Sequence, residues 1–152
     1  MPSIHHKRIN PVQISFSAAF LAMWLAVGVS SQVLAASVNP EAVNTLLKEY
    51  QASGGRDFSP EAGKTLWSQS FKHNKAPVQR SCVDCHGKDL TQPGRHVRTN
   101  RAIKPLAPSV NPERLSSEKK IRKWLKRNCK WTLGRECSPQ EKGDLLLWIQ
   151  SQ

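Results

Sequence analysis

Methionine is almost missing from this sequence. The 152 residues hold two, Met1 and Met23, and both fall within the first 35. A chain cleaved after that segment has no methionine to offer a metal centre. Long apolar runs are missing too: the most hydrophobic stretch, residues 14–29, is interrupted by Ser15 and Ser17 and falls short of the about 20 residues that anchor a chain in a bilayer. Acidic residues are scarce, 11 against 23 lysines and arginines. There are four cysteines, and beyond residue 35 only His73, His86 and His96 carry an imidazole. No internal repeat or low-complexity tract occurs.

What is present at the start has the layout of an export signal. His5, His6, Lys7 and Arg8 form a short basic head, the apolar run follows, and Val33-Leu34-Ala35 supplies the residues a signal peptidase needs. Residues 1–35 are therefore expected to be cleaved and the protein exported, to a bacterial periplasm. That segment carries two of the basic residues and none of the acidic ones, which leaves 21 against 11 and a formal charge of +10. Nucleic acid is an improbable partner outside the cytosol. An acidic redox protein or an anionic membrane surface fits better, with the charge acting mainly on the rate of encounter.

The stretch Cys82-Val83-Asp84-Cys85-His86 has the spacing for covalent attachment of a c-type haem, with two thiols for thioether bonds and an adjacent imidazole for the iron. A zinc half-site is the chemical alternative, but a tetrahedral centre needs further ligands. With Cys82 and Cys85 engaged, Cys129 and Cys137 remain. Exported thiols are oxidised in pairs, so these two are expected to form a disulfide. His86 is the expected proximal ligand, its other ring nitrogen donating to a backbone carbonyl, for which Pro105 in the following loop is a candidate. On the opposite face methionine is excluded, which leaves His73 or His96, a lysine, a weak donor such as asparagine, or nothing.

Patterning predicts an all-α fold. A first helix, residues 39–50, is capped by Asn39 and Pro40 and carries Val43, Leu46, Leu47 and Tyr50 at helical spacing; it belongs to an N-terminal extension, residues 36–57. A second starts at Ser59-Pro60-Glu61 and runs to about Phe71. Residues 87–115, with prolines at 93, 105, 108 and 112, read as a long loop wrapped around the haem. Ser116 or Ser117 caps a third helix to about Asn128, with Ile121, Trp124 and Leu125 on one side and six basic residues around the rest. Residues 129–137 form a short loop broken by Gly134. Ser138-Pro139-Gln140-Glu141 is a capping box that opens a last, apolar helix. That helix is expected to pack across the Ser59 helix, with Trp148 near Trp67 or Phe71, and Gly63 in the Ser59 helix allows another backbone to come close.

Three runs carry a resemblance: residues 106–114 (Leu-Ala-Pro-Ser-Val-Asn-Pro-Glu-Arg), residues 123–129 (Lys-Trp-Leu-Lys-Arg-Asn-Cys) and residues 134–142 (Gly-Arg-Glu-Cys-Ser-Pro-Gln-Glu-Lys). From about Phe58 to the C-terminus the chain resembles the sphaeroides haem protein family of exported monohaem class I cytochromes c. The resemblance implies a cytochrome c domain over residues 58–152, with a few helices and a long loop around one covalent haem c. It implies that Asn128 is the distal ligand and that the Cys129 to Cys137 disulfide lies beside it. Trp131 within the disulfide loop and the extra imidazole of His96 depart from the family pattern. An amide ligand suits ferric iron better than ferrous, so the implied function is a redox-gated site that opens to oxygen or nitric oxide. The alternative is a plain six-coordinate electron carrier. The partners implied are a dihaem cytochrome c and a membrane b-type cytochrome.

Overall fold

The computed structural model describes residues 40–72 and 77–152; residues 1–35, expected to be an export signal, and His73 lie outside them. The elements are α1 (Pro40–Ala52), α2 (Pro60–Ser68), β1 (Phe71–Lys72), β2 (Gln79–Arg80), α3 (Val83–His86), β3 (Gly94–Arg95), β4 (Ala102–Ile103), α4 (Glu118–Thr132) and α5 (Pro139–Gln150). Helices dominate. The strands form two minimal antiparallel ladders, Phe71 opposite Arg80 and Gly94 opposite Ile103.

Helices α2, α4 and α5 each start where a side chain satisfies a free amide at the N-terminus. In α2 the Ser59 hydroxyl accepts from the Ala62 N–H at 3.2 Å, with Pro60 in the first turn. In α4 the cap is Ser117, which accepts from Lys120, while Ser116 donates to the Glu113 carbonyl. In α5 the capping box is closed both ways: the Glu141 N–H donates to Ser138 Oγ at 3.2 Å and the Ser138 N–H to the Glu141 carboxylate at 2.7 Å.

The framework is the crossing of α2 and α5. Gly63 is buried in α2, and a Cβ there would stand 2.1 Å from the Asp144 carbonyl oxygen and 2.7 Å from Trp148 Cβ. The missing side chain is what lets the two backbones meet. Asp144 also accepts from the Ser59 N–H at 2.8 Å, which ties the crossing to the cap of α2. Trp148 packs on the cluster that contains Trp67, as expected, while Phe71 leaves the helix for β1.

Two apolar clusters result. One joins Val43, Leu46 and Tyr50 of α1 to Ile121 of α4 and Leu146 of α5. The other gathers Trp67, Leu90, Ala107, Cys129, Cys137 and Leu145, and Leu125 packs against both. Burying side chains of this size contributes roughly 1.5 to 3 kcal/mol each.

Three expectations are corrected. The second helix stops at Ser68, because Gln69 turns extended and its N–H closes on Thr65 and Leu66, freeing Phe71 to pair with Arg80. The third helix runs four residues past Asn128, to Thr132, so part of the expected 129–137 loop is helical. The stretch 87–115 contains the β3–β4 hairpin and an anchor of its own: Leu90 is 1% exposed, and its carbonyl accepts from both Leu106 and Ala107 at 2.9 Å.

Candidate haem site

The motif residues form one helical turn. Cys82 opens it, the His86 N–H donates to the Cys82 carbonyl at 3.1 Å, and Gly87, at φ +73°, closes it with a bond to Val83. A positive φ is what glycine tolerates and most residues resist. Asp84 reaches back to accept from the buried Ser81 N–H at 2.7 Å. The turn therefore brings both thiols and the imidazole together, and Cys82 and Cys85 are both free.

Neighbours fix this turn from three sides. Trp67 of α2 donates from Nε1 to the Gly87 carbonyl at 3.0 Å, and its ring stands 5.5 Å from the His86 ring. Gly94 of β3 passes so close that a Cβ would stand 2.3 Å from the Cys85 carbonyl oxygen. Thr132, 4% exposed at the end of α4, lies beside Cys82, where its side chain opposes the rise of that thiol's pKa.

Burial dominates the electrostatics of the motif. Burial pushes the Cys82 thiol up to about 12, with Asp84 and Cys85 adding to the effect and Thr132 opposing it. Burial lowers His86 to about 4, with the nearby Arg114 guanidinium and then His96 acting in the same direction. The imidazole is thus neutral near pH 7, with a lone pair to give. Among the described residues no group of three His, Cys, Asp or Glu side chains converges on a point that could hold a metal ion.

Pro105 does not pair with His86. Its carbonyl accepts from Asn111 Nδ2 at 2.9 Å and from Arg114 Nε at 2.8 Å, so both lone pairs are taken. Arg114 thereby becomes a cation near His86, a role its place in the proline-rich loop did not announce.

Helix α4 carries Asn128, the distal ligand that the resemblance implies. Asn128 is exposed, and its amide makes no hydrogen bond among the described residues. The next residue, Cys129, is 3% exposed and bonded to Cys137, with Cα atoms 5.5 Å apart. Trp131, three residues on from Asn128, lies under the Arg80 guanidinium at 4.2 Å and beside the His96 ring at 6.2 Å, and its carbonyl accepts from Arg80 at 2.9 Å. Thr132 and Arg80 were not singled out from sequence. The spacing Leu125, Cys129, Thr132 at i, i+4 and i+7 was the available signal for the first.

The chain matches the family described as a domain of unknown function, DUF1924, over residues 53–149. The cytochrome c-type protein SHP of Cereibacter sphaeroides is 41% identical over 107 residues, which is 70% of this chain and 81% of that protein. Cytochrome c'' of Methylophilus methylotrophus is 29% identical over 90 residues, 59% of this chain and 62% of the relative. Among solved structures, oxidised SHP, described as an oxygen-binding cytochrome c, superposes with a TM-score of 0.65 at 38% identity, covering 72% of this chain and 96% of its own. Oxidised cytochrome c'' superposes with a TM-score of 0.64 at 25% identity, covering 74% and 95%. The chain belongs to the DUF1924 family and to the sphaeroides haem protein family, monohaem cytochromes c of mainly helical fold with one covalent haem c.

Proposed function

We propose that this is an exported, periplasmic electron-transfer cytochrome whose haem is held by Cys82, Cys85 and His86, with Asn128 as a distal ligand that lets go on reduction. The observation that carries the reading is the position of Asn128. Its amide is free of hydrogen bonds among the described residues, it adjoins the Cys129–Cys137 pair, and it lies one helical turn before Thr132, which meets Cys82. Haem held there would supply a one-electron couple and a place for a diatomic gas. Cys82 and Cys85 fix the group covalently, and His86 gives its lone pair. Asn128 offers a weak, hard amide oxygen or nitrogen, better matched to ferric than ferrous iron. SHP is described as an oxygen-binding cytochrome c, which supports oxygen or nitric oxide as the incoming gas.

Electrons reach such a site from a partner protein. Lys119, Lys120, Lys123, Lys126, Arg127 and Lys130 are all exposed on α4, a face that suits an acidic donor. A dihaem cytochrome c, itself served by a membrane b-type cytochrome, is the partner this reading implies.

Absorption spectra of the oxidised and reduced protein, with and without carbon monoxide, test the reading for the parent and for Asn128→Ala. The expected result is a changed oxidised spectrum in the variant and carbon monoxide binding by the reduced parent. A reduced parent that stays six-coordinate and ignores carbon monoxide is the plain carrier instead.

A further inference from the structure

We infer that Arg114 is a positioning residue for electron transfer: it holds a fixed positive charge beside His86 and so favours the reduced haem. The inference rests on the reading of His86 as the axial ligand.

A short chain of contacts places the guanidinium. Gly94 of β3 lies so close to the motif turn that a Cβ there would stand 2.3 Å from the Cys85 carbonyl oxygen and 3.0 Å from His86 Cα. Gly94 pairs with Ile103 of β4. The two residues after Ile103 supply the carbonyls that hold Arg114, with Nη2 donating to Lys104 and Nε to Pro105, each at 2.8 Å. Just beyond, Leu106 and Ala107 donate to the Leu90 carbonyl, which ties this stretch a second time to residues that follow His86. The backbone of Arg114 is fixed too, since its N–H donates to the Asn111 carbonyl at 2.9 Å. The electrostatics agree: after burial, Arg114 has the largest effect on His86.

This cation differs from others in the same loop. Lys88 and Lys104 are exposed, where water and salt screen them. Arg114 is partly buried, and no ion pair involves it among the described residues. Glu113, the residue before it, is exposed and offsets part of its charge. A guanidinium stays protonated at any ordinary pH. Oxidised haem carries one more positive charge than reduced haem, so a cation held nearby opposes the oxidised form more strongly. One electron passes from donor to iron, and no bond at Arg114 forms or breaks.

The experiment uses the full haem-loaded protein and reads the midpoint potential by spectroelectrochemistry for the parent, Arg114→Gln, Arg114→Lys and Asn111→Ala. Arg114→Gln removes the charge and should shift the balance about tenfold toward the oxidised protein, which is about 59 mV for one electron. Arg114→Lys keeps a charge and should recover most of that shift. Asn111→Ala takes away the neutral donor to the same Pro105 carbonyl and should leave the potential near the parent value. If the glutamine variant does not load haem, Arg114→Met, which keeps the apolar stem, takes its place. An unchanged potential in the neutral variant overturns the inference. So does an equal fall in Arg114→Lys or Asn111→Ala, because the held carbonyl and not the charge is then the cause. Failure of both neutral variants to load haem overturns it as well, by making the guanidinium fork structural. Hyperfine-shifted ring signals assigned to His86 in the magnetic resonance spectrum of the oxidised parent test the axial ligand separately; their absence overturns that reading and the inference with it.

Discussion

Gly63 and Asp144 are in backbone contact: no side chain fits between α2 and the Asp144 carbonyl, which would stand 2.1 Å from a Cβ. Two helices far apart in sequence are thereby locked at one point. Every group that fixes the motif turn from the α2 side, Trp67 included, depends on it.

Gly63→Ala should therefore destabilise the protein in spite of its better helix propensity. Overpacking of a tight contact costs roughly 1 to 3 kcal/mol, more than the about 1 kcal/mol that alanine gains over glycine within a helix. Thermal unfolding followed by far-UV circular dichroism checks the sign; a variant as stable as the parent removes the crossing from its central role.

Cys129 and Cys137 are eight residues apart. Closing a loop that short contributes about 2.5 kcal/mol in the chain-entropy model. The double change Cys129→Ser with Cys137→Ser should lower stability by about that amount, read from denaturant midpoints. If Asn128 is placed by the same bridge, the oxidised absorption spectrum should also become a mixture of two species.

The cap of α5 should make stability depend on acid. Arg135 holds the Glu141 carboxyl below its ordinary value, and the bonds to Ser138 act in the same direction. A depressed carboxylate stabilises the fold above its unfolded pKa, and that contribution is lost as pH falls through the lower folded value. Glu141→Gln should flatten this acid dependence while keeping the capping box, which glutamine also closes. Melting temperatures from the neutral range down to about pH 3 measure it.

Reduction by an acidic partner should slow as salt is added, because the exposed basic groups of α4 act over distances that ions screen. Reversing two of them, Lys123→Glu with Lys126→Glu, should lower the second-order rate and weaken its salt dependence, measured by stopped flow. Rates indifferent to salt would move the docking face elsewhere.

The long helices were legible because their signals are local. Ser59-Pro60 and the Ser138 to Glu141 box announce their own helix starts, and Gly63 amid apolar neighbours announces a close crossing. The haem motif was legible for the same reason. What sequence hid depends on partners distant in the chain. Leu90 looks like any loop leucine until its carbonyl is seen to gather Leu106 and Ala107. The Pro105 carbonyl seemed available to His86 until Arg114 and Asn111 were found on it. The end of α4 was misjudged because a cysteine pair suggested a loop, although Leu125, Cys129 and Thr132 keep the helical interval.

That longer helix has a bearing on how the protein meets its partners. Asn128 sits inside a helix of 15 residues, so its backbone is pinned by the turns on either side. Only its two side-chain torsions are free to respond to the oxidation state. Whatever Asn128 does, the basic outer surface of α4 keeps its outline, and a docking protein meets the same shape before and after the electron has passed. Under the proposed function, one helix would carry both recognition and ligand exchange yet keep them mechanically separate, and the difference a partner could sense would be one of charge and potential.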